Sequence, residues 1–475
     1  MTGVYLAASF TISGLLFFNR DRVLNNVMVI GFLLLQSGYT VYEYLHINTT
    51  ELLYFTADSL GVLLLITLSI ISIPTMYHSA VFLSKNKNNP RERGIYFAAM
   101  VALLTAISAA YLSNHIAVTW IFVELTTLSA SALIYHRRNN RSLEGTWKYV
   151  FVCAISITLV FIGILFLSFS LPQAGTEDLS FAALLKRAPE LNLFWLRLAF
   201  IFIFTGFTAK LGLVPMYTAG IDAKDKAPSP AGAILSSVLM NVGFVGIFRF
   251  YSIVAHTTLH IWANNIILIA AILSIFVATV YMTKVKNIKR MFAYSGIEHM
   301  GIVMLGVAAG GIGYYAAVLH IVLHAFVKSS LFFQMGQIYR IYKSKSIYDV
   351  GNYFKYNLTG SIVVMLAFFF ATAMPPSGLF ISEFMIFRSL FESNNLAVLI
   401  VVMLLLTVII WAFGKNVFRL LFSPAVDFNE HGMERIKPAE SISQFILLGL
   451  VVYVGMNPPQ EFVTLIQGAI KNLPH

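Results

Sequence analysis

The sequence predicts an all-α polytopic membrane protein of about fourteen transmembrane helices, with helices 7 and 12 broken and two inverted five-helix repeats. Three observations carry this. Hydrophobic residues fill 58% of the 475 positions and charged residues only 11%, about half the charge of a soluble domain. Apolar stretches long enough to cross about 30 Å of hydrocarbon recur almost from end to end. Lysine and arginine gather in alternate loops, as they do on the cytoplasmic side of a multi-pass protein.

In chain order the spans run over residues 3–18, 25–45, 58–84, 94–113, 115–136, 146–170 and 194–218. They continue over 229–255, 262–284, 292–309, 314–340, 358–394 with an interruption, 396–423 and 441–457. The first has no basic stretch before it and no small-residue cleavage site after it, so it reads as a retained helix rather than a signal peptide. Four regions result: helices 1–3 over 1–93, a first five-helix repeat over 94–255, a second over 256–423, and an inner linker with helix 14 and a tail over 424–475. In the tail, Phe462, Ile466 and Ile470 stand at helical spacing, which marks a helix lying at the interface or packed on the protein.

The loops check this count. Those after odd-numbered spans hold Arg20 and Arg22; Lys85, Lys87, Arg91 and Arg93; Arg137, Arg138 and Arg141; Lys224 and Lys226. Further along they hold Lys284, Lys286, Lys289 and Arg290; Arg340, Lys343 and Lys345; Arg435 and Lys437. Loops after even-numbered spans hold almost none, apart from Lys186 and Arg187. A miscount by one helix would scramble this alternation, and it places both termini outside. The net charge of +11 is then accounted for by membrane orientation, and no nucleic-acid partner is needed.

Few ionisable residues stand at bilayer depth: Glu124, Lys210, Glu298, His299, His320, His324, Lys328 and Glu383. A charge in hydrocarbon costs about 2.5 to 3.5 kcal/mol at least, so such residues face one another or a wet cavity and mark ion and proton paths. Glu124 sits mid-span in "VTWIFVELTTLSASAL", with hydroxyls at Thr126, Thr127, Ser129 and Ser131 that would hold water beside it. Lys210 is its natural partner. Hydrocarbon disfavours the charged amine and a nearby carboxylate favours it, so changing their separation would switch Lys210 between holding and releasing a proton. A static buried salt bridge is the competing reading.

Pro215 and Gly212 break span seven just after Lys210. Pro375, Pro376 and Gly378 break span twelve, and Glu383 follows about two turns later. Two interrupted helices five spans apart, each with an ionisable residue near its break, are the pattern of inverted repeats around a mid-membrane site. Between them, His320, His324 and Lys328 fall at i, i+4 and i+8 on one helix face, roughly 6 Å apart. Histidines so spaced can pass a proton along. His299 is open between relay and polar packing.

The chain carries a single cysteine, Cys153, which excludes a disulfide framework and an iron–sulfur cluster and reads as a small buried side chain. Haem ligation is disfavoured because both histidines lie on the same face one turn apart. No phosphate-cradling glycine loop, zinc motif or dinucleotide fingerprint occurs. No cofactor or metal is expected, and transport driven by the chain's own ATP hydrolysis is disfavoured.

The segments "WIFVELTTLSASALIY", "FTAKLGLVPMYTAGIDAKDKAPSPAGAILSSVLMNVGFVGIFRF", "NIKRMFAYSGIEHMGIVMLG", "HIVLHAFVKSSLFF" and "PPSGLFISEFMIF" resemble a known family, in its order and over most of residues 90–420. It comprises the antiporter-like proton-translocating membrane subunits of respiratory complex I, of membrane-bound nickel–iron hydrogenases and of multisubunit Na+/H+ antiporters. "EGTWKYVFVCAISITLVFIG" and "AYSGIEHMGI" are most similar to the hydrogenase-4 component F type. The resemblance implies a fifth-helix glutamate at Glu124, a broken-helix lysine at Lys210, a relay at His320, His324 and Lys328, and an exit residue at Glu383. Where several members carry a helix-eight lysine this chain has Asn241, so the implied relay runs through water, Asn241 and the histidines. The loop "YTAGIDAKDKAPSP" also lacks the family's Trp-Leu-Pro.

The expected function is that of a proton-translocating subunit without a redox centre, driven by partner membrane subunits and soluble redox subunits in the cytoplasmic membrane of a prokaryote. Two alternatives stand beside it within transport: a Na+/H+ antiporter subunit, or a subunit coupled to inorganic-carbon uptake. A scaffold that lost translocation is the alternative of another class, and it predicts eroded intramembrane charges.

Overall fold

Backbone amides in hydrocarbon must find partners within the protein, which leaves helices or closed barrels as the only ways across. In the computed structural model, which describes residues 1–85, 89–171, 178–425, 428, 430 and 433–474, the chain takes the helical solution. Lys87 of the third basic loop lies outside the described residues.

The helices are α1 (Thr2–Phe18), α2 (Arg22–Leu45), α3 (Ser59–Lys85), α4 (Pro90–Leu112), α5 (Ile116–Ile134), α6 (Asn140–Ser170) and α7 (Phe181–Lys186). There follow α8 (Leu193–Leu211), α9 (Thr218–Lys226), α10 (Ser229–Ser236), α11 (Val238–Val254), α12 (His260–Lys284), α13 (Ile288–Ala309) and α14 (Ile312–Tyr342). The last are α15 (Tyr353–Tyr356), α16 (Leu358–Ala371), α17 (Gly378–Glu392), α18 (Leu396–Phe422), α19 (Ile442–Met456) and α20 (Gln460–Ile470). Among the described residues twelve helical segments are long and apolar enough to cross a membrane, and Thr2–Phe18 and Leu358–Ala371 are shorter apolar helices. Together they coincide with the fourteen expected spans. A two-residue β-hairpin, Thr50–Glu51 with Phe55–Thr56, is the small addition.

Both expected breaks occur. After Leu211 the chain turns at Gly212, whose φ of +88° suits a residue without Cβ, and its amide closes on the Thr208 carbonyl at 2.7 Å. The helix restarts at Thr218 as the short polar helix α9, beyond the apolar span. In span twelve α16 ends at Ala371, and α17 restarts at Gly378 under a Ser377 cap that accepts from the Phe380 amide at 3.2 Å. A third interruption was not anticipated: span eight is split between α10 and α11 at Ser237, at φ −126° and ψ −100°.

The helices form two compact units. The first comprises residues 1–227, 238–266 and 461–475. Within it α6 and α8 approach closely through glycines: a Cβ on Gly163 would stand 2.6 Å from Ile203 Cγ1, and one on Gly206 would strike the Ser156 carbonyl. Small residues let backbones meet where no hydrophobic force separates helix from lipid. Arg249 of α11 ties the ends of α3 and α4, donating to Asp58 at 2.7 Å and to the Ser113 and Tyr111 carbonyls at 2.7 and 2.6 Å. In the tail helix α20, Ile466 is buried, and Gly468 rests on Ser59 of α3.

The second unit comprises residues 228–237 and 267–460. Its centre is the α13–α14 hairpin, turned at Gly310 and Gly311 with φ of +75° and +55°. Asn287 caps α13, accepting from the Lys289 and Arg290 amides at 2.9 and 3.2 Å. α17 and α19 cross where Gly378 meets Gly455.

Candidate functional site

Each unit holds a cluster of largely buried polar side chains. In the first, α5, α6 and α8 converge on Lys210, which is 7% exposed in the last turn of α8 before the break. Its Nζ donates to the Thr127 Oγ1 at 2.7 Å and to the Tyr149 hydroxyl at 3.1 Å, and stands 5.2 Å from the centre of the Tyr149 ring. The Thr127 hydroxyl lies 3.3 Å from Glu124 Oε2. Glu124 is half-buried. The carboxylate and the amine are therefore joined through a hydroxyl rather than by direct ion contact. Thr126 and Ser131 donate to their own helix at the Val123 and Leu128 carbonyls, which leaves the lone pairs of their oxygens to accept from water. Cys153, free and buried, lies one turn along α6 from Tyr149.

Asn241 of α11 is fully buried, and among the described residues no group meets either polar atom of its side chain in good hydrogen-bond geometry. It stands one turn after the Ser237 break, near the Tyr111 hydroxyl, which donates to the Val238 carbonyl at 2.5 Å. Beside it, Met240 accepts at its Sδ from the Nζ of Lys224 at 3.1 Å. Lys224 reads as a loop cation in the sequence, yet it is 3% exposed.

In the second unit the ladder of α14 meets a second rail on α13. His320, His324 and Lys328 are fully buried, as is His299 of α13. His299 Nδ1 lies 3.1 Å from His320 Nε2, and His320 Nδ1 lies 2.9 Å from the Ser382 hydroxyl of α17. The His299 ring is centred 5.1 Å from that of His324, and its Nδ1 is 3.9 Å from Glu383 Oε1. Lys328 Nζ donates to the Ser295 hydroxyl and, at 3.2 Å, to the Phe292 carbonyl. Glu298, the residue before His299, is buried within electrostatic reach of both Lys328 and Glu383.

The sequence leaves His299 open between relay and packing; the fold puts it at the centre, touching His320, His324 and Glu383. Chemically this is a chain of groups able to give and take protons over short distances away from bulk water. His299, His320 and Glu383 also bring one ligand atom each within 4.8 Å of one another, close enough for a single metal ion, and two of the three, His299 and His320, share the 3.1 Å contact just described.

Residues 113 to 410 match the model of a family described as NADH:quinone oxidoreductase/Mrp antiporter, transmembrane. Over 356 residues, 72% of this chain and 74% of the relative, the sequence is 30% identical to the hydrogenase-4 component F homolog of Methylacidiphilum infernorum. The fold is similar to a chain of the membrane-bound sulfane sulfur reductase, an archaeal respiratory membrane complex. The TM-score is 0.86, at 18% identity over 99% of this chain and 97% of that one. A chain of the Mrp complex from Dietzia sp. DQ12-45-1b gives 0.84, at 14% identity over 99% and 96%. At these identities the two structures speak for the fold.

Proposed function

The chain belongs to the NADH:quinone oxidoreductase/Mrp antiporter family of membrane subunits, and we propose that it carries protons across the membrane as the antiporter-like subunit of a redox-driven assembly. The observation that carries this is the pair of buried clusters, one per unit, each built from a lysine, a carboxylate and hydroxyl or imidazole bridges. Such groups cost stability wherever they are buried, so a chain that only anchored partners would have no use for the full set.

In this reading a proton is held at Lys210, passes by way of Asn241 to His324 and Lys328, and leaves through His299, His320 and Glu383. Thr127 is the coupling element. Any shift of α5 against α8 that carries Glu124 and the Thr127 hydroxyl away from Lys210 removes the negative field that keeps the Lys210 proton in place, because fields are weakly screened at this depth. Partner subunits, among them other membrane subunits and soluble redox subunits, would supply that shift. The two interrupted spans, α8–α9 and α16–α17, support the reading of two inverted five-helix repeats. The basic loops support an orientation with both termini outside, and the likeness to the Methylacidiphilum infernorum relative supports the cytoplasmic membrane of a prokaryote.

A sodium path would need a cage of oxygens, since a hard cation takes carboxylate, carbonyl and water ligands. The second cluster instead offers three imidazoles and an amine around two carboxylates, a donor set that suits protons. The test is acidification of proteoliposomes containing the whole assembly, turning over its electron donor in sodium-free buffer. Proton uptake at the full rate supports the reading. Uptake that appears only when sodium is added would replace it with a sodium-coupled one.

A further inference from the structure

Among the described residues two lysines are buried in the first unit, Lys210 and Lys224, and the path above uses only one. Lys224 lies on α9, outside the membrane-spanning helices, in a segment whose composition reads as a solvated loop. Its Nζ donates to the Met240 thioether at 3.1 Å, and no carboxylate lies within ion-pair distance of it among the described residues. A thioether is a weak acceptor and cannot offset a positive charge.

The charged groups on the elements around α9 are engaged with one another. Asp225 pairs with Lys226 at 3.0 Å, Asp222 lies 3.7 Å from Lys148 of α6, and Lys148 pairs with Glu144 at 2.5 Å. Lys210 of α8 and Glu124 of α5 meet at Thr127. α11 presents Met240 and the uncharged Asn241.

A second observation concerns the other side of Met240. Its Cε packs on Gly212, 3.1 Å from where a Cβ would stand, at the break that directly follows Lys210. One flexible thioether thus has the Lys224 ammonium at its sulfur and the Gly212 turn at its methyl.

We infer that Lys224 is the proton-loading residue of the first unit and that Met240 is the plug separating it from the break beside Lys210. The ammonium of Lys224 gives up one proton to a water file admitted when Met240 swings aside; that file delivers a proton to the neutral amine of Lys210. Lys224, left as a neutral amine, then recovers a proton from the aqueous side that its loop faces. Methionine, unbranched with three rotatable bonds, suits a plug that must move without unpacking its neighbours. Burial pushes the Lys224 ammonium down to about 7, so the group can both load and release near neutral pH.

This inference rests on the proton-translocation reading, and the experiment separates the two. Proton pumping is measured across pH in proteoliposomes holding the whole assembly, with Lys224→Arg, Lys224→His, Met240→Leu and Lys210→Met. Lys224→Arg keeps the charge but cannot release a proton, and pumping falls at least tenfold. Lys224→His retains pumping well above the arginine variant, with its profile moved to lower pH. Met240→Leu keeps the bulk of the plug and drops the sulfur acceptor, which moves the profile to lower pH with assembly intact. Arginine pumping within twofold of wild type, histidine no better than arginine, or an unmoved Met240→Leu profile would each overturn the assignment of Lys224. Normal pumping by Lys210→Met would overturn the underlying reading instead.

Discussion

Gly243→Ala places one methyl group where the position of Lys210 is set. Gly243 of α11 lies against the backbone of α8 at Leu211, and a Cβ there would stand 2.9 Å from both Leu211 Cα and Cβ and closer still to the Leu211 amide nitrogen. Atoms of a packed backbone cannot give way as a side-chain end can, and contact at ordinary distance needs α8 to retreat by about 1 Å. Overpacking of this kind costs about 1–3 kcal/mol, so the chain still folds. The retreat displaces Lys210 relative to Thr127 and Tyr149, whose 2.7 and 3.1 Å contacts have little slack. A misplacement of about 1 Å at a reacting group costs about 100-fold in rate. The assay is proton pumping per electron transferred in the assembled complex, with subunit content read on the same preparation. Gly449→Ala is the control, because nothing lies within 4 Å of the added atom; it should leave pumping unchanged. Wild-type pumping by Gly243→Ala in a fully assembled complex would refute the claim that the α8–α11 contact positions Lys210.

Lys224→Met tests the energetic side of the loading residue. Its ordinary value is 10.5 and burial brings it to about 7, so the folded chain binds fewer protons than the unfolded one between those limits and wild-type stability rises with pH across them. The penalty is fully present below about pH 7 and gone above about 10.5; methionine should therefore stabilise by up to about 5 kcal/mol at pH 6 and by little at pH 10.5, read as thermal unfolding in detergent. His299→Gln removes the ring that touches His320, His324 and Glu383; pumping should fall about 100-fold, with electron transfer and subunit content checked together. Arg249→Met strands two carbonyls and unpairs the partly exposed Asp58, which should cost about 3–5 kcal/mol and lower the unfolding temperature while leaving the pH profile of pumping in place.

The spans, the breaks and the α14 ladder were legible because each is a local consequence of physics. Hydrocarbon thickness sets span length, proline and glycine stop helices, and 3.6 residues per turn put His320, His324 and Lys328 on one face. What escaped depends on which helix packs on which. The Thr127 bridge exists only because glycines bring α8 against α6 and α5 supplies the hydroxyl. The central place of His299 follows from the α13–α14 hairpin and the approach of α17. Two omissions left traces. Ser236 and Ser237 form a serine pair of the kind found at helix kinks, where span eight is split. Ala219, Ala223 and Ala227 repeat at helical spacing and are buried, which marks a packed helix in a run whose lysines and aspartates otherwise read as solvated loop; Lys224 stands beside that face.

The central claim is that the two buried clusters act in series on one proton. Its most direct test is the number of protons translocated per electron in proteoliposomes of the whole assembly carrying Lys210→Met or, separately, Lys328→Met. The account predicts that either change alone, in fully assembled complexes, removes the same protons and that the double variant loses no more. Wild-type stoichiometry in either single variant, or losses that add in the double one, would contradict it.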